Sequence, residues 1–190
     1  MDINDRDSGE RDGDVWSVRS VELPVESRAA RFYPATDLAD AFSIRLPDDA
    51  TTDPEQLARF LFAQQPPWID GLMKVRDALV AGFGIKTSGQ LKAAPVTERH
   101  PRVGIFRIYE THAHEVLLGE DDKHLDFRLS VLTQPAQAQR GRRLVLSTVV
   151  HCHNLLGRGY ITLIAPFHRR VVRATLTHAA RRGWPAQQAG

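Results

Sequence analysis

The stretch that most constrains this chain is His124-Leu125-Asp126-Phe127-Arg128-Leu129-Ser130-Val131, in which every even position is polar and every odd one apolar. Side chains on a strand alternate between faces. The run therefore predicts a strand with one face buried and the other meeting water or a polar site. Residues 103–109, 114–118, 123–133 and 142–153 are all short segments rich in β-branched, aromatic and leucine residues, and turn-like residues separate them. Such a series reads as antiparallel hairpins. The last segment sets Leu144, Leu146, Thr148, Val150 and Cys152 against Val145, Ser147, Val149, His151 and His153.

After Leu156 the period changes. Tyr160, Ile164, Phe167, Val171, Ala174 and His178 recur at steps of three and four, which predicts a long helix to about Arg182 with these residues as its inward stripe. Pro166 lies inside it and is expected to kink it, and Gly183 and Pro185 end it. In the front half, residues 15–25 suit a first strand. Asp37 reads as a cap before a short helix carrying Leu38, Ala41 and Phe42. Asp53 and Pro54 mark a second helix start, because the missing N–H of proline has no partner in a first turn anyway. A third helix begins at Pro66, with Trp68, Leu72, Val75, Leu79 and Phe83 on one face, and residues 86–102 read as a loop.

These elements predict an α+β fold: a curved antiparallel sheet wrapped around a long C-terminal helix, with short helices between the first strand and the rest of the sheet. At 190 residues one domain is the default, here residues 15–182, between an acidic disordered tail at 1–14 and a flexible tail at 183–190. The single cysteine, Cys152, excludes an intrachain disulfide. No apolar run approaches a membrane span of about 18 residues, and the polar start gives no secretory signal, so a cytoplasmic protein without membrane partners is expected. Net charge is only +2, yet from Gly157 onward there are arginines at 158, 169, 170, 173, 181 and 182 and no acid. A solvated helix face explains that run better than nucleic-acid binding.

The blocks PPWIDGLMKVRDALVAGFGIK (66–86), GEDDKHLDFRLSV (119–131), TVVHCHNLLGRGYI (148–161) and APFHRRVVRATL (165–176) resemble an uncharacterised bacterial family, domain-of-unknown-function family 2867. The likeness covers residues 32–182. The order of elements also resembles the helix-grip fold of START-like and Bet v 1-like (SRPBCC-type) proteins. That resemblance implies a sheet gripping a helix over a cavity, and it implies no particular reaction.

The candidate chemistry lies in the second half. His112, His114, His124, His151, His153 and His168 include two His-x-His pairs, each able to turn two imidazoles to one face. No recognised zinc pattern accompanies them, and no metal site is assigned. Asp126 and Arg128 share one face of a strand. They suit either cross-strand charge pairing on the outer side or, with His151 or His153, an acid/base set. The alternation favours the outer side, with Leu125, Phe127 and Leu129 toward the helix. The rim Asn154–Tyr160 places Gly157, Gly159 and Arg158 at a helix start, which suits an anionic ligand group, with Tyr160 offering a hydroxyl. Cofactor loops are absent: Thr162 stands where a dinucleotide loop needs its third glycine. The expected ligand-contacting set is His124, Asp126, Arg128, His151, His153, Arg158, Tyr160 and His168. The first expectation is a binding module for a small hydrophobic or amphipathic molecule, acidic groups included, without a cofactor. A cyclase-, isomerase- or lyase-type enzyme is the second, and a structural or protein-interaction domain, with a homodimer left open, is the third.

Overall fold

The computed structural model describes residues 17–63, 66, 68, 69, 71, 101–136 and 141–187. In chain order the elements are β1 (Arg19–Val21), a 3-10 turn (Arg28–Arg31), β2 (Leu38–Arg45), α1 (Pro54–Ala63), β3 (Arg102–Val103), β4 (Phe106–Thr111), β5 (Glu115–Asp121), β6 (Leu125–Gln134), β7 (Arg143–Cys152) and α2 (Leu155–Arg182). The strands form one curved, open antiparallel sheet in the order β1-β2-β7-β6-β5-β4-β3. The expected N-terminal tail, the loop 86–100 and most of the helix starting at Pro66 lie outside the described residues; Trp68, Ile69 and Gly71 are helical.

The alternating run behaves as its pattern requires. Leu125, Phe127, Leu129 and Val131 of β6 face the helices. Leu129 and Val131 join Leu144 and Leu146 of β7, Phe42 and Ile44 of β2, Leu57 and Leu61 of α1, and Val172, Leu176, Ala179 and Ala180 of α2 in the main core. Each such leucine, valine or phenylalanine contributes about 1.5–3 kcal/mol by leaving water. Asp53 caps α1 as expected, its Oδ1 accepting the N–H groups of Glu55 and Gln56.

Three expectations need correction. The stretch after Asp37 is strand β2 and not a helix, so a second strand precedes α1. Its alanines and leucine permit a helix, but eight residue pairs with β7 outweigh local propensity. Asp37 still acts as a cap, of a different element: its carboxylate accepts the Cys152 N–H at 2.7 Å while its own N–H donates to Val150 O. Second, the inward row of α2 is Gly157, Ile161, Val172 and Leu176, with His168 between the last pair and Ile161. Tyr160, Ile164, Val171, Ala174 and His178 are only half-buried on the adjoining flank, and Phe167 is exposed. The packing surface of α2 is thus turned by about one position from the apolar stripe. Third, residues 184–187 are not a loose tail. Trp184 packs on Phe60, Pro185 O accepts the Thr51 N–H, and the Gln187 N–H donates to Asp49 O.

Two glycines at the start of α2 separate close packing from mere helix position. A Cβ on Gly157 would lie 2.3 Å from the His124 carbonyl oxygen, whereas one on Gly159 would meet nothing within 4 Å. Gly157→Ala is therefore expected to lower stability by about 1–3 kcal/mol through overpacking against the start of β6. Gly159→Ala should raise it by about 0.5–1 kcal/mol, the cost of glycine inside a helix. Urea unfolding of the two variants checks the opposite signs.

Candidate functional site

The period of two divides the expected site residues between the faces of the sheet. On the face turned from α2, Asp126 sits opposite His151 and Arg128 opposite Val149. His153 follows at the end of β7. This face is not open to water. Residues 22–36 cross it, held by a buried carboxylate: Glu115 Oε1 accepts the hydroxyls of Ser27 (2.6 Å) and Ser130 (2.5 Å), and the Arg28 N–H reaches both carboxylate oxygens. A buried carboxylate without such donors would cost several kcal/mol, so this network fixes where the crossing segment lies.

Beneath that segment Arg128 is almost completely buried. Its guanidinium carbon lies 3.6 Å from the ring centroid of Tyr109 and 4.4 Å from that of Phe32, with Tyr33 at 5.5 Å. Nη1 donates to Phe127 O and lies 2.8 Å from Asp121 Oδ1, and Tyr109 donates its hydroxyl proton to Asp121 Oδ2. The cross-strand charge pairing anticipated for Arg128 is thus realised, with Asp121 as partner. Burial raises the Tyr33 phenol well above its ordinary range, and burial together with the bond to Asp121 pushes Tyr109 up to about 12. Burial alone would raise the Asp121 carboxyl, but the hydrogen bonds from Arg128 and Tyr109 outweigh it and hold Asp121 below the usual carboxylate range.

At the end of the same face His153 Nε2 lies 3.0 Å from Asp126 Oδ2. His151 stacks on Tyr33 with ring centroids 5.6 Å apart, and its Nδ1 lies 3.0 Å from Ala35 O. His124 joins the edge of this group through Asn154, 3.1 Å from its Nδ1. Four expected residues (Asp126, Arg128, His151 and His153) therefore meet here. Among the described residues no group of three or more His, Cys, Asp or Glu side chains is arranged to hold a metal ion.

The other three expected residues belong to α2. Arg158 Nε lies 3.2 Å from Asp37 Oδ1. Tyr160 packs partly against Leu38, Leu125 and Ile161. His168 points inward, its Nε2 3.3 Å from Asp40 Oδ1, while Arg169 Nε approaches Asp40 Oδ2 at 3.4 Å. Arg173 reaches Val18 O and the Phe42 ring. Three of the six arginines of the run, Arg158, Arg169 and Arg173, are thus directed at β1, β2 and the residues beside them. Cys152 is packed in this layer, and burial with Asp37 beside it pushes the thiol up to about 11, away from a reactive thiolate.

The family model described as protein of unknown function (DUF2867) matches residues 32–175. The chain belongs to the DUF2867 family. No curated protein and no solved structure matches it. The matched span holds both clusters of this DUF2867 domain, from Phe32 over Arg128 to His168 beside Asp40. Among the described residues no helix is long and apolar enough to cross a membrane.

Sequence reasoning missed Phe32, Tyr33, Tyr109 and Asp121, and no local pattern marks them, because a loop and two other strands bring them to Arg128. It also missed Asp40 and Thr148, for which a signal existed. Each is the one polar residue in an otherwise apolar row, Leu38-x-Asp40-x-Phe42-x-Ile44 and Leu144-x-Leu146-x-Thr148-x-Val150, and the two are partners across β2 and β7.

The Asp121 contribution has a definite sign. A carboxyl held below its unfolded value stabilises the fold above the ordinary carboxylate range, near pH 4, and that contribution is lost as pH falls through the lowered folded value. Thermal melts across acidic pH should show wild type losing stability over that window, and Asp121→Asn should lose less because it lacks this component from the outset.

Proposed function

We propose that this DUF2867 domain binds one small amphipathic molecule between the first half of α2 and the helix-facing side of the sheet. The uneven burial of α2 carries the reading. Between Leu155 and His168 only Gly157 and Ile161 are buried, while Tyr160 and Ile164 on the flank of the inward row are only half-buried. The second half of the helix buries Val172, Thr175, Leu176, Ala179 and Ala180. On the sheet and α1, the aromatic residues Phe62, Phe106 and Phe127 are likewise only half-buried at the border of the core. Full burial of such side chains is worth about 1.5–3 kcal/mol each. A ligand with an apolar body would collect part of that, and a largely apolar recess with few polar groups is the usual form of a small-molecule site. The likeness to helix-grip proteins of the START and Bet v 1 kind agrees with this placement.

Native mass spectrometry of freshly purified protein, with thermal shifts over a panel of amphipathic metabolites, tests the reading. A ligand at one hundred times its dissociation constant adds about 2.7 kcal/mol, or roughly 5–10 °C for a chain of this size. A bare apo mass and no shift across the panel would sink it.

A second reading rests on the His153–Asp126 pair. A carboxylate 3.0 Å from one imidazole nitrogen orients the ring for proton transfer by the other, and His153 is 40% exposed at its side chain. In this reading the domain turns over a ligand held on the face turned from α2. A candidate ligand should then be converted to a second species, separable by chromatography, on incubation with wild type, and His153→Gln should slow that at least a hundredfold, the lower end for a general base. No converted species for any candidate rules the second reading out.

A further inference from the structure

Between the two apolar clusters on the helix side of the sheet lies a polar gap. Ile161 packs with Leu38, Leu125, Val150 and Cys152, and Val172 and Leu176 pack with Phe42, Leu129 and Leu146. His168 stands on the helix between them, over Asp40 of β2. Directly opposite Asp40, on β7, is Thr148. Thr148 is 4% exposed, and its Oγ1 is buried with no hydrogen-bond partner among the described residues. Leu129, its other neighbour, lies in the helix-side core, so Thr148 faces the space beneath α2.

A buried hydroxyl without a partner is disfavoured, and polar residues in a core row ordinarily find one. Asp40, directly across, approaches His168 and Arg169, and no hydrogen bond joins it to Thr148. The position therefore offers a donor and an acceptor to something else. The charge of Asp40 restricts what that is. Directly opposed residues on antiparallel strands stand about 4.5–5.5 Å apart, so an anionic head at Thr148 would meet a carboxylate at close range. A cationic head would compete with Arg169, which already pairs with Asp40.

From these contacts we infer that Thr148 is the head-group contact of the site proposed above, and that the ligand ends in an uncharged hydroxyl or carbonyl rather than a carboxylate. The inference rests on the ligand-binding reading. It moves the polar end of the ligand away from the Arg158 rim, where the guanidinium is paired with Asp37, to the gap between Ile161 and Val172.

The experiment compares three probes of equal chain length, a long-chain primary alcohol, its carboxylate and its ammonium analogue, on wild type and Thr148→Val. Wild type should bind the alcohol at least tenfold more tightly than either charged probe. Thr148→Val, nearly identical in shape, should lose about tenfold for the alcohol, the ratio given by one hydrogen bond of about 1.4 kcal/mol. It should leave the charged probes within about twofold. Without ligand, Thr148→Val should melt no lower than wild type, since it removes a hydroxyl that bonds to nothing. A preference for either charged probe, or an unchanged alcohol affinity in the variant, overturns the inference and leaves the ligand-binding reading standing. A lowered melting temperature of the ligand-free variant overturns it too, by showing that the hydroxyl is already bonded. If none of the three probes binds, the inference falls together with the reading beneath it.

Discussion

The pairing of β6 with β7 is the constraint on which the rest depends. Ten residue pairs run without a bulge from Leu125 opposite Cys152 to Gln134 opposite Arg143. Because side chains alternate, this register assigns every neighbouring residue to a face at once. Leu129 and Val131 go to the helices, and Asp126, Arg128 and Ser130 go to the other side. A slip by one residue would put Arg128 into the apolar layer under α2 and Leu129 under Tyr109. The first placement would bury a charge without its partners, at several kcal/mol, so the register is fixed by the patterns of both strands together.

Both faces of the sheet bury polar groups, and both leave some of them without a partner among the described residues. Away from α2, Tyr33 Oη, Arg128 Nε, Ser147 Oγ and His124 Nε2 stay unpartnered, while the charged groups pair with one another. Glu115 accepts from Ser27, Ser130 and the Arg28 N–H, and Arg128 lies between aromatic rings with Asp121 at its end. That arrangement resembles a structural clamp, and its effect is to hold residues 22–36 across the sheet, which in turn sets Tyr33 against His151. Arg128 thus anchors this arrangement through Nη1, while its Nε is buried without a partner among the described residues. Toward α2, Asp40 pairs with His168 and Arg169, while Thr148 keeps an unused hydroxyl.

Legibility in the sequence followed the range of the interactions. The facing of Asp126 and Arg128 was readable, because period-two alternation is local. The burial of Arg128 was not, because Phe32, Tyr33 and Tyr109 reach it from a loop and another strand. The stretch Leu38–Arg45 read as helix on its alanines and its cap, and became a strand because β7 presents a matching edge. For α2 the apolar stripe through Tyr160, Ile164 and Phe167 suggested the packing face. The helix instead rolls so that Ile161, His168 and Val172 meet the sheet, with the ion pairs of Arg158 with Asp37 and of Arg169 with Asp40 on one flank.

What the sequence by itself determined is the alternation of β6 and β7, the capped start of α1, the glycine that ends α2, and hence an antiparallel sheet followed by a long helix. These are decided within a few residues by backbone geometry and side-chain period. Only the tertiary structure decided which residues stand together: His153 with Asp126, Arg128 inside an aromatic box, and Thr148 across from Asp40 with its hydroxyl unspent. Those juxtapositions join residues up to about a hundred positions apart in the chain, and hydrogen bonding and desolvation act through space, where no local pattern records them.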